Sequence, residues 1–136
     1  MKRREFIAGV AAASMLPKTI RAQQTDAVRR VAIVVPEAND GEPYYEGRIA
    51  AVREGLRDLG WVEGQNLKLD IHRTPPKETE IRKHVDELLA ARPDVVVTSG
   101  GTTTRPMLQA TRTVPVVFVG VVDPVGAGVV ESLAHP

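Results

Sequence analysis

The residues Ser99-Gly100-Gly101-Thr102-Thr103 follow a run of three valines, Val95-Val96-Val97, and Thr98. Paired glycines let a backbone take positive φ and come close to a bound group. The neighbouring hydroxyls can donate hydrogen bonds. A helix beginning just beyond them would add free N–H groups and the positive end of its dipole. The chemistry such a loop could do is to grip a carboxylate or another anion. The same residues also suit a plain strand-to-helix turn with a capping threonine, and spacing alone leaves both readings open. Asp123, just before Pro124, is similarly double: it could cap a helix or accept a hydrogen bond from a ligand amine. A third polar stretch holds Glu37, Asn39, Asp40, Tyr44 and Tyr45. Tyr44 is free to edge a cleft and Tyr45 belongs to a core face, while the acids and Asn39 also fit a solvated loop.

Bond-breaking chemistry finds little support. The glycine pair is not a phosphate loop, because no Gly-Lys-Ser/Thr follows it, and it is not a Gly-x-Gly-x-x-Gly fingerprint. The histidines His72, His84 and His135 fall on a strand, on a helix and at the terminus, away from the strand ends. They form no Ser/His/Asp arrangement, and no paired carboxylates or metal-ligand spacing stand in for them. The sequence has no cysteine, which excludes disulfides, thiolate nucleophiles and a lipidated N-terminal cysteine. Neither a cofactor nor a metal is called for, and the expectation is a binding protein and not an enzyme.

The elements that must position these loops alternate between strand and helix. Val31–Val35 is a continuous apolar, β-branched run, as in a strand buried on both faces. Tyr45, Ile49, Val52, Leu56 and Leu59 then recur at helical spacing, with Arg48, Arg53, Glu54, Arg57 and Asp58 on other faces and Gly60 as the stop. Leu67, Leu69 and Ile71 alternate with Lys68, Asp70 and His72, which predicts a half-exposed strand nearer a sheet edge. Trp61 is expected to pack the turn between them. Ile81, Val85, Leu88 and Leu89 mark a second helix, ended by Arg92-Pro93. Val95–Val97 is a third strand, about Thr103–Thr111 a short helix with Pro106 in its first turn, and Pro115–Val119 a fourth strand. A last helix is expected from Val125.

Strands separated by helices of this length form right-handed crossovers and a parallel sheet. With the alternating second strand outside and the first, third and fourth interior, the order is 2-1-3-4. The expected fold is thus one α/β domain, an open parallel sheet flanked by helices. Its switch point lies between the first and third strands, and ligands bind such sheets beside the switch point, at the carboxyl ends of the strands.

The first 22 residues read differently. Lys2-Arg3-Arg4 precedes an apolar run, Phe6 to Leu16, and Ala22 closes the segment. This is the pattern of an export signal, too short to span a bilayer, and Arg3-Arg4 with Phe6-Ile7 makes it twin-arginine-like. Cleavage after Ala22 would leave 18 − 5 basic against 17 − 1 acidic residues, about −3 net instead of +1. Nothing in that balance points to nucleic acid. A soluble periplasmic location follows from the signal together with the missing lipid-anchor cysteine.

Several segments together carry a resemblance. "MKRREFI", "RAQQ", "GLRDLGWVEGQNL", "VVVTSGGTT" and "VPVVFVGVVDPVGAGVVESLAHP" are similar to the ABC transporter substrate-binding proteins of the tryptophan/tyrosine-binding type, in the same order and over essentially the whole chain. The resemblance implies one lobe of a type I periplasmic-binding-protein fold, in which two such lobes close on a ligand. It further implies ligands that include aromatic amino acids, and an inner-membrane ABC permease as partner to a monomeric receptor. By this resemblance Ser99, Thr102 and Thr103 would grip the ligand, with Asp123 near the hinge side of the cleft. Arg105 and Pro106 stand where small residues are usual. The family's chains are more than twice as long, so residues 23–136 are expected to be an N-terminal lobe truncated before the hinge. Two other functions share the fold: a sensory ligand-binding domain, against which the export signal argues, and a small doubly wound enzyme using Asp123 or Glu37, for which no base or metal is in sight.

Overall fold

The computed structural model describes residues 27–37 and 43–134. The export signal with its cleavage point, Asn39, Asp40 and His135 lie outside the described residues. Seven elements follow one another: β1 (Arg29–Pro36), α1 (Pro43–Asp58), β2 (Leu67–Thr74), α2 (Glu78–Ala90), β3 (Val95–Ser99), α3 (Gly101–Ala110) and β4 (Val116–Val119). The sheet has the order β2-β1-β3-β4 and every pairing is parallel. Val31 of β1 lies opposite Leu69 on one side and Val95 on the other.

The period-two side-chain geometry of a strand explains why β1 is apolar from Val31 to Val35. Ala32 and Val34 point into one cluster with Ile81, Val85 and Leu88 of α2, Val96 of β3 and Met107 of α3. Ile33 and Val35 point the other way, into a cluster with Ile49 of α1 and Leu67 and Leu69 of β2. Tyr45, Val52, Leu56 and Trp61 pack against this second cluster. The chain thus buries two cores, one on each face of a single sheet, with α1 on one side and α2 and α3 on the other.

Four expectations need correction. Leu59, counted on the buried face of α1, is 75% exposed. The helix ends at Asp58, where Trp61 N–H donates to the Leu56 carbonyl and Gly60 N–H to that of Arg57. Gly60 takes φ +88 to close this terminus, and Leu59 is swung outward with it. Second, α3 starts at Gly101, so Pro106 falls in its second turn and not its first. Lacking an N–H, Pro106 leaves the Thr102 carbonyl without its usual intrahelical donor. Third, β4 is bonded only to β3, which makes it an edge of the described sheet. Val116 joins the α2–α3 cluster, so by alternation Val117 and Val119 turn to the opposite face, where they remain 51% and 42% exposed. Fourth, no helix forms from Val125. Asp123 to Val129 makes a single turn, with Ala127 N–H donating to the Asp123 carbonyl and Val129 N–H to that of Pro124. Gly128, at φ +67, stops it as Gly60 stops α1.

Candidate functional site

The carboxyl ends of the parallel strands share one edge of the sheet. The chain leaves β1 toward α1 on one face and leaves β3 toward α3 on the other, so the switch point lies between them. Gly100 carries the turn from β3 to α3 at φ 80 and ψ 165 and serves as the helix N-cap. Its N–H donates to the Val119 carbonyl at 2.8 Å, tying the loop to the end of β4. Because the cap is glycine, no side chain covers the first amides of α3, so the capping threonine considered from the sequence is not used in that way.

The hydroxyls divide into two groups. Thr103 and Thr104 are buried, at 1% and 0% exposure. Thr103 Oγ1 donates to the Ser99 carbonyl at 2.8 Å, and Thr104 Oγ1 to the Gly100 carbonyl at 2.7 Å while also meeting Thr98 Oγ1 at 2.8 Å. These groups brace the loop from beneath. Ser99 is half-buried and Thr102 exposed, which leaves them, with the Gly100-Gly101 backbone, as the parts of the loop open to a ligand.

Arg48 was missed in the sequence, where it counted only as lying on a face of α1 other than the apolar one. Its Nη1 donates to Ser99 Oγ at 3.3 Å, and its guanidinium lies 4.2 Å from the centroid of the Tyr44 ring, a cation–π contact. Tyr44 itself is 55% exposed and meets Tyr45 edge-to-face at 5.2 Å, so the two tyrosines divide between cleft and core. Gly120, at φ +67, passes so close to the guanidinium that a Cβ there would stand 3.1 Å from Nη1. A cation, a hydroxyl, an aromatic face and a glycine are thus brought together from three separate segments: α1, the end of β3 and the loop after β4. The sequence signal was the i, i+4 pair Tyr44 and Arg48, on the helical flank next to the core stripe.

The remaining predicted residues stand apart from this group or serve local structure. Glu37 is exposed, its N–H donating to the Thr74 carbonyl at 2.7 Å, on the β2 side of the edge. Asp123 has positive φ, +47, and its Oδ1 accepts from Gly126 N–H at 3.0 Å, so it caps its own turn. A Cβ at Gly126 would fall 2.0 Å from Asp123 Oδ2, so any larger residue there would displace this capping carboxylate. Arg105 Nε donates to the Ala127 carbonyl at 3.0 Å and holds that turn to α3.

Between α1 and the sheet, a cavity of about 290 Å3 is lined by Ile33, Val35, Val52, Val97 and Val119, together with Arg48 and Ser99. A larger groove of about 970 Å3 runs along α3, β4 and the Gly128 turn on the other face. It meets the loop only at Gly101 and Thr102, and the chemistry of the site lies with the smaller cavity. Among the described residues no group of three His, Cys, Asp or Glu side chains could hold a metal ion.

The fold and this edge define a lobe of the periplasmic-binding-protein class. The chain belongs to the ABC transporter substrate binding protein family, whose pattern matches residues 30–136. Similar solved structures include a conserved domain protein from Vibrio cholerae, 28% identical with a TM-score of 0.71, covering 78% of this chain and 35% of that one. Another is the ABC domain in complex with L-Trp from Streptococcus pneumonia, 20% identical with a TM-score of 0.70, covering 79% and 35%. A curated relative, a tyrosine-binding protein from Clostridioides difficile, is 25% identical over 83 residues, which is 61% of this chain and 24% of that protein. The chain therefore spans well under half the length of each.

Proposed function

We propose that this chain is the amino-terminal ligand-binding lobe of the solute-binding component of an ABC importer. It captures a small carboxylate, an amino acid by this reading, and passes it to an inner-membrane permease. Export by the amino-terminal segment puts the receptor in the periplasm, as a monomer that performs no chemistry on its ligand. Ser99, Thr102 and the Gly100-Gly101 backbone form the grip, with Thr103 supporting it and Tyr44 at its edge. The observation that carries the reading is the open loop with uncapped amides at the switch point, in a chain of this family. Support also comes from the relatives described as tyrosine-binding and as a complex with L-Trp.

The test is isothermal titration of the chain against the common L-amino acids, repeated with Ser99→Ala/Thr102→Ala. One or more amino acids should bind, weakly because a single lobe lacks closing contacts. The double variant should lose that binding. Equal affinity in the variant would remove these residues from the site, and silence across the whole panel would rule out the amino-acid reading.

A further inference from the structure

Arg48 is half-buried at the switch-point edge, and no carboxylate of the described residues neutralises it. The other arginine of this region, Arg73 at the end of β2, is paired with Glu46 of α1. Arg29, Arg30 and Arg53 likewise have carboxylate partners in Asp94, Asp70 and Glu63. Among the described residues no carboxylate pairs with Arg48. Its contacts are the neutral Ser99 hydroxyl and the Tyr44 ring. Both suit a cation, and neither supplies the negative charge that a partly desolvated guanidinium attracts.

The guanidinium is also held in position. Tyr44 lies one helical turn earlier on α1 and stacks on one side. Ser99, which accepts from Nη1, sits at the end of β3. Gly120 leaves the room that any side chain would fill. A guanidinium has five N–H donors in a planar fork, and one bond to Ser99 leaves enough of them for a two-pronged bond to a carboxylate.

We infer that Arg48 is the anion anchor of the binding site and makes the ligand a carboxylate, with Ser99 and Tyr44 orienting its fork. The inference rests on the proposed solute-binding role for the site's use, but its chemistry stands on this cluster. The loop then closes the grip, and Arg48 selects the acid from its neutral analogues.

The experiment follows backbone amide shifts of the full 136-residue chain, with Arg48, Ser99 and Gly120 as reporters. The titrants are L-tryptophan, L-tryptophanamide and indole-3-acetate. Arg48→Gln removes the charge, Arg48→Lys keeps it without the fork, and a thermal melt of each variant checks the fold. The two acids should shift the reporters and the amide should not, with binding weakened roughly tenfold or more in Arg48→Gln and partly restored in Arg48→Lys. Indole-3-acetate binding without tryptophan would end the amino-acid reading and leave the anchor standing. Equal binding of amide and acid, unchanged affinity in Arg48→Gln, or no response to either acid would overturn the anchor.

Discussion

Asn66 organises the turn between α1 and β2 with both ends of its side-chain amide. Its Oδ1 accepts from Val62 N–H at 2.7 Å and its Nδ2 donates to the Gly60 carbonyl at 3.0 Å. Gly64 supplies a positive φ of 84 in the same turn, and Arg53 closes over it through Glu63 at 2.9 Å. The segment Gly60-Trp61-Val62-Glu63-Gly64-Gln65-Asn66, one of the strongest marks of the family in this sequence, is therefore turn chemistry remote from the candidate site. Asn66→Ala removes two hydrogen bonds and is expected to cost about 1–3 kcal/mol. Urea unfolding would read that loss, and an unchanged midpoint would deny the turn its organising role. The same lesson applies to Asp123, whose carboxylate could be read from sequence as cap or ligand group; its bond to Gly126 makes it a cap in this chain.

At the level of the elements, α1 and α2 differ in how fully their apolar stripes are used. Leu88 of α2 is 2% exposed, whereas Leu59, on the same kind of stripe beyond α1, is 75% exposed. Leu88→Ala should cost about 2–5 kcal/mol through lost burial and the cavity left behind. Leu59→Ala should stay within about 0.5 kcal/mol. Chemical denaturation of the pair tests whether the stripe or the helix end decides burial; equal losses would contradict the exposure described. Strand order was legible because β1 is apolar from Val31 to Val35 and β2 alternates, and those patterns report how many faces are covered. The helix end was less legible, since Gly60 marks a stop without saying that Leu59 turns outward with it. Arg48 was hidden for a related reason. Periodicity separates a core face from the rest but cannot tell a solvent face from a flank lying against Ser99 and Gly120, 51 and 72 positions on. The loop at Ser99–Thr103 was visible as composition, yet which hydroxyls face inward depends on the first turn of α3. That helix starts two residues earlier than its pattern suggests.

For the molecule as a whole, charge ties the amino ends of the strands together, opposite the candidate site. Asp94 accepts from Arg30 N–H at 2.8 Å and Arg29 Nη1 at 2.9 Å, and these bonds hold its carboxyl below its ordinary value. Burial lowers the His72 imidazole, and His84 acts in the same direction while Asp70 and Glu87 oppose it. Both groups therefore bind a proton less readily in the fold than in the unfolded chain, so stability rises with pH across each window. The His72 contribution is complete above its ordinary 6.5 and is lost as pH falls from there through the lowered value. The Asp94 contribution is complete above 3.8 and is lost below it in the same way. Tm should accordingly fall on mild acidification from neutral pH, and His72→Gln should flatten that first decline. A Tm that rises over the same interval, or an unchanged slope in the variant, would contradict the assignment.

The place of β1 in the sheet has a consequence for how the chain comes to be folded. It is the first of the described strands in the chain, yet it is central, and its partner on one side, Val95–Thr98, is synthesised only after β2 and α2. Among the described residues every strand pairing is parallel and needs a crossover, so no hairpin of these strands can start the sheet. Until β3 and α3 have emerged from the ribosome, Ala32 and Val34 lack Val96 and Met107, and one edge of the most apolar strand stays unpaired. The growing chain thus carries an adhesive segment until β3 and α3 are made, and protection during translation matters more to it than to a protein built from local pairings.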